Sequence, residues 1–158
     1  MGPNHVMLPL GKGRVGMTIA RLIAGRTQHI VRCSPQETVR KAAEFLADHR
    51  IGAMPVLDSG KVVGVFSERD LLYCIAEHGE AALDLSVGQV MTAPPITAGP
   101  DTTVRDAAEL MTLRRIRHLP VIDQDKLVAF VSIGDLVKYR LEMVEHEAQA
   151  MREYISTA

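Results

Sequence analysis

Long apolar runs are missing from this 158-residue chain, and no stretch approaches the length a helix needs to cross a bilayer. The N-terminus has no charged segment followed by an apolar one, so no secretory signal is read there and a cytoplasmic location is expected. An excess of one charge is missing too: 18 Lys and Arg against 19 Asp and Glu leave a net charge of −1. No global field therefore draws the chain to nucleic acid or an acidic membrane, and any anion site must be local. Cysteine is scarce: Cys33 and Cys74 lie far apart without metal-type pairing, which suits a reducing compartment and buried or idle thiols. Cys74 and His78 have helix-face spacing, but two ligands do not make a zinc site. What remains, 47% hydrophobic and 23% charged residues, is ordinary for a folded chain of one domain or two small ones.

The stretch GKGRVG, Gly11 to Gly16, has the glycine spacing of a dinucleotide fingerprint, yet its context fails. The preceding MGPNHVMLPL is too short and proline-broken for a central parallel strand. Glu37 lies near the distance expected of a ribose-binding acid, but SPQE reads as a helix start. Residues 1–16 are read as a flexible N-terminal arm.

Comparing the chain with itself is more informative. IGAMPVLDSGKVVGVFSERDLL, Ile51 to Leu72, aligns without a gap on IRHLPVIDQDKLVAFVSIGDLV, Ile116 to Val137. Upstream, PQETVRKAAE and PDTTVRDAAE keep the same register. Each copy predicts a short strand (around His29 to Cys33, and Pro95 to Thr97), then a helix. Apolar Val39, Ala42, Ala43 and Leu46, or Val104, Ala107, Ala108 and Met111, share one face of that helix. It starts at Ser34 or Thr38 in the first copy and near Thr103 in the second. Two strands joined by two-residue links, SG and QD, predict a hairpin, and a second helix starts at Ser67 or Ser132. MTIARLIAG, Met17 to Gly25, is read as the lead-in helix of the first copy and VGQVM as that of the second. The expected organisation is an arm (1–16), a first unit (17–80), a linker (81–86), a second unit (87–145) and a helical extension (146–158). The predicted class is α+β, with α/β-like repeats: two β-α-β-β-α units packed with approximate two-fold symmetry. One such unit buries too little surface to stand alone, and packing two of them creates clefts suited to small molecules.

GVFSERD and AFVSIGD place Ser-x-x-Asp where a strand runs into a helix. Read structurally this is a capping box. The same geometry offers free N–H groups, a hydroxyl and a carboxylate, which are the groups a ribose phosphate needs. The duplicated h-P-V-h-D and G-h-h-[ST]-x-x-D arrangement resembles a pair of cystathionine beta-synthase (CBS) domains of the stand-alone bacterial type, over about Met17 to Val144. The resemblance implies a regulatory module that requires no cofactor and binds AMP, ADP, ATP, S-adenosylmethionine or NAD(H) in its central clefts. It further implies that Asp70 and Asp135 hold ribose hydroxyls and that Ser67 and Ser132 lie at the phosphate. Ala53, Met54, Pro55, Leu119 and Pro120 would line the adenine slot, largely through backbone.

The copies are unequal. Arg117 and His118 stand where the first copy has Gly52 and Ala53, a position that faces phosphates in the family, so the second half is expected to carry most of the anion-binding capacity. Arg69 is expected to contribute from the first half. Ala129 replaces the glycine present as Gly64, and its methyl is expected to crowd a ligand approaching that strand. Arg114, Arg115, Arg117 and His118 also resemble a nucleic-acid patch, but no recognition-helix pattern accompanies them and aromatics make up only 4%. In the tail, Leu141, Val144, Ala148, Met151 and Ile155 form a near-heptad stripe that either packs back on the sheets or pairs with a second copy; a homodimer is expected. A non-catalytic nucleotide sensor acting on an unknown protein partner is the favoured reading. A small enzyme acting on the bound nucleotide, or a ligand-free assembly module, are the alternatives, and no nucleophile–base pair or metal cluster is legible for the enzyme.

Overall fold

The computed structural model describes Val6–Met7, residues 16–27 and residues 29–157. Strand β1 (Val6–Met7) is followed by helices α1 (Ile19–Ile23) and α2 (Val39–His49), hairpin β2 (Ala53–Asp58) and β3 (Lys61–Ser67), and helix α3 (Glu68–His78). The second copy supplies α4 (Val87–Val90), β4 (Ile96–Thr97), α5 (Val104–Arg114), hairpin β5 (His118–Asp123) and β6 (Lys126–Ser132), and α6 (Ile133–Thr157).

The duplication is visible in small irregularities as well as in element order. Both hairpins carry a register shift at the same place, Val56/Leu57 and Val121/Ile122. Each turns through two residues of positive φ, Ser59 and Gly60 at 51° and 80°, Gln124 and Asp125 at 46° and 62°. That geometry suits the twist of a two-residue hairpin link. Thr38 and Thr103 cap α2 and α5 by accepting from the amides of Lys41 and Asp106, which removes one otherwise unpaired donor from each first turn. Of the face that helical spacing predicts, Val39, Ala42 and Leu46, and Val104, Ala107 and Met111, are buried, with Leu110 added, while Ala43 and Ala108 are half-buried.

Four expectations are corrected. Residues 29–33 form no strand: Cys33 makes only an isolated parallel bridge to Val56, with its amide donating to the Pro55 carbonyl at 3.3 Å. Its counterpart Ala98 bridges Val121 in the same way, so this lead-in crosses the hairpin edge at one point and is too short for a ladder. The segment read as a linker coils into a 3-10 helix, Gly79–Asp84, whose Ala82 is fully buried in the first core. Within the N-terminal arm, β1 pairs in parallel with β4, Val6 opposite Ile96; residues 1–5 and 8–15, including Gly11 and Gly13 of the glycine stretch, lie outside the described residues.

The fourth concerns which unit each lead-in serves. Ile19 and Leu22 of α1 pack with Ala107, Leu110, Leu119 and Val131 in the core of the second unit. Val87 of α4 completes the core of the first, with Val39, Met54 and Phe66. Backbone bonds fix the exchange: Val104 N–H donates to the Met17 carbonyl at 2.7 Å, and Val87 N–H to the Glu37 carbonyl at 2.8 Å. Each unit is thus closed by the other's lead-in, so neither core is complete alone.

Candidate functional site

Ser67 and Ser132 end β3 and β6, and each starts a helix through the same reciprocal box. The Ser67 amide and hydroxyl both donate to Asp70 Oδ2 at 2.8 Å. The Ser132 amide and hydroxyl donate to Asp135 Oδ2 at 2.8 and 3.0 Å. Capping therefore consumes one oxygen of each carboxylate and leaves Oδ1 for other partners. At Asp70 that partner is Thr92 Oγ1, donating at 2.8 Å from the opposite lead-in. At Asp135 it is Arg26 Nη1, 3.8 Å away.

Because the lead-ins are exchanged, each Ser-x-x-Asp box faces the other unit. The first cleft, a cavity of about 100 Å³, joins Ser67, Arg69 and Asp70 to Thr92, Arg117 and His118, and Ala53 also lines it. Its mouth is clasped from α3 of the first unit. Arg69 Nη1 donates to the Arg115 carbonyl at 2.9 Å, and Glu68 Oε1 accepts from Arg117 Nη2 at 3.0 Å. A second, adjoining cleft joins Ser132 and Ile133 to Arg50 and again Arg117. Arg50 and Arg115 are the C-caps of α2 and α5 and adopt positive φ of 52° and 53°, a conformation that favours glycine or asparagine.

Met54, Pro55, Leu119 and Pro120, expected to line an adenine slot, are not among the residues lining either cleft. Met54 and Leu119 are 0% exposed, with side chains inside the first and second cores. Pro55 and Pro120 are buried too, and their carbonyls accept from Cys33 and Ala98. His118 stacks on Phe130 at 5.4 Å. Burial, reinforced by the charge of Arg117, lowers its pKa against weaker opposing pulls from Asp135 and Glu68. At neutral pH it is an uncharged imidazole, so the charge of the Arg117–His118 pair comes from Arg117.

This has a sign. The unfolded chain binds a proton at His118 near the ordinary pKa of 6.5, where the folded chain resists it. Stability falls as pH drops through that range and levels off once the pH is below the folded pKa. A ring-proton NMR titration should place the His118 midpoint below 6.5; a midpoint at or above it would contradict the burial argument.

Thr92 and Glu68 escape a reading from sequence, because each acts on the opposite unit, and Arg115, read there only as part of a basic cluster, enters through its backbone carbonyl. Gly64 is explained differently from expectation. A Cβ there would lie 2.6 Å from Met91 Sδ and 2.9 Å from the Thr92 carbonyl. The glycine makes room for the exchanged lead-in, whereas Ala129 is 1% exposed in the second core, so that difference reflects packing and not ligand access. Cys74 is buried against the Ala82 carbonyl while His78 is exposed beside Glu77, so the two do not converge. Burial, aided by Glu37, pushes the Cys33 thiol up to about 12, which suits an inert thiol. Among the described residues no helix is long and apolar enough to cross a membrane.

A family model described as the CBS domain matches residues 24–77 and 87–142. The CBS domain-containing protein YhcV of Bacillus subtilis is 33% identical over 110 residues, covering 70% of this chain and 78% of that one. The mitochondrial protein CBSX3 of Arabidopsis thaliana is 36% identical over 128 residues, 78% of this chain, which spans 62% of its length. Among solved structures, the CBS-domain protein ATU1752 of Agrobacterium tumefaciens superposes with a TM-score of 0.74 at 36% identity, covering 78% of this chain and 99% of its own. CBSX2, solved in complex with AMP, superposes with a TM-score of 0.67 at 30% identity, covering 81% and 98%.

Proposed function

The chain belongs to the CBS-domain family, and from that we propose that it is a non-catalytic sensor of adenosine-containing nucleotides such as AMP, ADP, ATP or NAD(H). The observation that carries the reading is the bond between Asp70 Oδ1 and Thr92 Oγ1, 2.8 Å long and made across the unit boundary. A hydroxyl already sits where a ribose hydroxyl would be accepted. Beside it, the Glu68 carboxylate pairs with Arg117 at 3.0 Å, the cation to which this reading gives the phosphate. A nucleotide entering this cleft exchanges both partners: its ribose takes Asp70 from Thr92, and its phosphate takes Arg117 from Glu68. The AMP held by CBSX2 supports the ligand class.

Both exchanged contacts join one unit to the other. Occupancy therefore changes what holds the halves together, which is what a signal needs if the ligand is to favour one arrangement over another. The recipient is a regulated protein partner or the dimer itself. Leu141 of the last helix is already 59% exposed, and beyond Met143 the stripe continues with Val144, Met151 and Ile155 at 45%, 62% and 68% exposed. Packing back on the sheets is thus not what this stripe does, and a second copy is the occupant assigned to it. The enzyme alternative gains nothing from the serines, since each hydroxyl is committed to the aspartate of its own cap.

Native mass spectrometry of freshly purified protein should show two chains with an adenosine compound attached. In equilibrium dialysis Asp70→Asn should weaken AMP binding by about tenfold or more, since a hydrogen bond to a charged group is worth about 1.5–3 kcal/mol. Unchanged affinity would remove Asp70 from the site, and protein-dependent breakdown of AMP on long incubation would overturn the sensor reading.

A further inference from the structure

We infer that the two clefts of one chain share one phosphate-binding cation, Arg117, so that anionic nucleotides exclude each other from them while neutral nucleosides do not. The inference rests on the nucleotide reading above and concerns how its two sites communicate.

Four residues line both clefts: Gly52, Glu68, Arg117 and His118. Their position follows from the hairpins. His118 is paired with Ser132 across β5 and β6, and the Arg117 carbonyl accepts from the Ile133 amide at 2.8 Å. The Arg117 backbone therefore belongs to the second box, while its guanidinium reaches Glu68 beside the first. Of the shared residues only Arg117 and Glu68 carry charge at neutral pH. Arg115 and Arg69 line the first cleft and Arg50 the second, so none of these three can serve both.

The duplication supplies this pair once. At the position of Arg117 the first unit has Gly52, and at that of Glu68 the second has Ile133. A phosphate at the shared edge of either cleft draws on the same guanidinium, whatever Arg69 and Arg115 add within the first cleft and Arg50 within the second. Once Arg117 turns to it, Glu68 is left as an unpaired carboxylate bordering both clefts and repels a second anion. Two terms, loss of the cation and exposure of the anion, thus oppose the second nucleotide, and both vanish for a ligand without phosphate. Coupling of this kind is reciprocal: whichever cleft fills first weakens the other.

Gly52 permits a direct test, because a Cβ there would meet the Glu68 carboxylate at 3.4–3.7 Å, ordinary contact distances with the end of a flexible side chain. Calorimetric titration of the whole protein with AMP and with adenosine, for the unmodified chain and Gly52→Arg, reads the coupling. The second AMP should bind about tenfold or more weakly than the first, whereas two adenosines bind within about threefold of each other. Gly52→Arg should bring the second AMP close to the first by placing a second guanidinium on the edge that both clefts share. Two equal AMP sites in the unmodified chain would overturn the inference and leave the sensor reading standing. So would an adenosine disparity as large as that of AMP, or an AMP disparity that Gly52→Arg leaves in place. Failure of the unmodified chain to bind either ligand would remove the sensor reading itself, and this inference with it.

Discussion

Arg117→Ala is expected to weaken AMP binding by about tenfold or more while changing adenosine binding by about twofold or less. The guanidinium stands at the mouth of the first cleft, 3.0 Å from the Glu68 carboxylate. Truncating it removes a charge-assisted contact worth about 1.5–3 kcal/mol and also leaves Glu68 facing the phosphate. Arg117→Lys should recover part of the loss, since it keeps the charge but not the planar fork. Fold stability should hardly change, because both partners of the pair are more than half exposed and such pairs contribute little. Isothermal titration with the two ligands decides the matter: equal losses for AMP and adenosine would mean that Arg117 shapes the pocket without touching phosphate.

Phe66→Ala should be the most damaging single substitution in the first unit, costing about 3–5 kcal/mol in urea unfolding. Phe66 is 0% exposed and lies opposite Met54 across the hairpin, in the core that α4 of the second unit closes. A small domain has about 5–15 kcal/mol to lose, so the variant should be partly unfolded at moderate temperature. Its counterpart in the duplication is Val131, 2% exposed in the other core, and Val131→Ala should cost roughly half as much because fewer methylene groups are removed. Because each core borrows a lead-in from the other unit, the two halves should unfold in one transition. A loss below about 1 kcal/mol for Phe66→Ala would place the ring outside the core.

Much of the candidate site was legible from residue order, and the boundary of what was legible is physical. The hairpin links, the threonine caps of α2 and α5, and both Ser-x-x-Asp boxes depend on atoms within four residues of each other, so the local pattern carries them. The strand expected at His29 to Cys33 did not form, because a ladder needs a partner along its length and the hairpin offers this segment a single bridge. Gly64 was misjudged for a related reason. Its neighbours, Met91 and Thr92, are far along the chain, and no local pattern says that they cross it.

By itself the amino-acid sequence determined that there are two homologous units, the kind and order of most of their elements, the faces they bury, and which serines and aspartates sit at helix starts. Those properties rest on short-range hydrogen bonding and on the periodicity of apolar side chains. Only the tertiary structure decided that the lead-in helices are exchanged, that Thr92 meets Asp70 and Arg117 meets Glu68 across the unit boundary, and that Arg117 stands between both clefts. Such pairings depend on which surfaces remove each other from water, a choice made by the whole chain at once, and residues distant in sequence meet only when that choice is made.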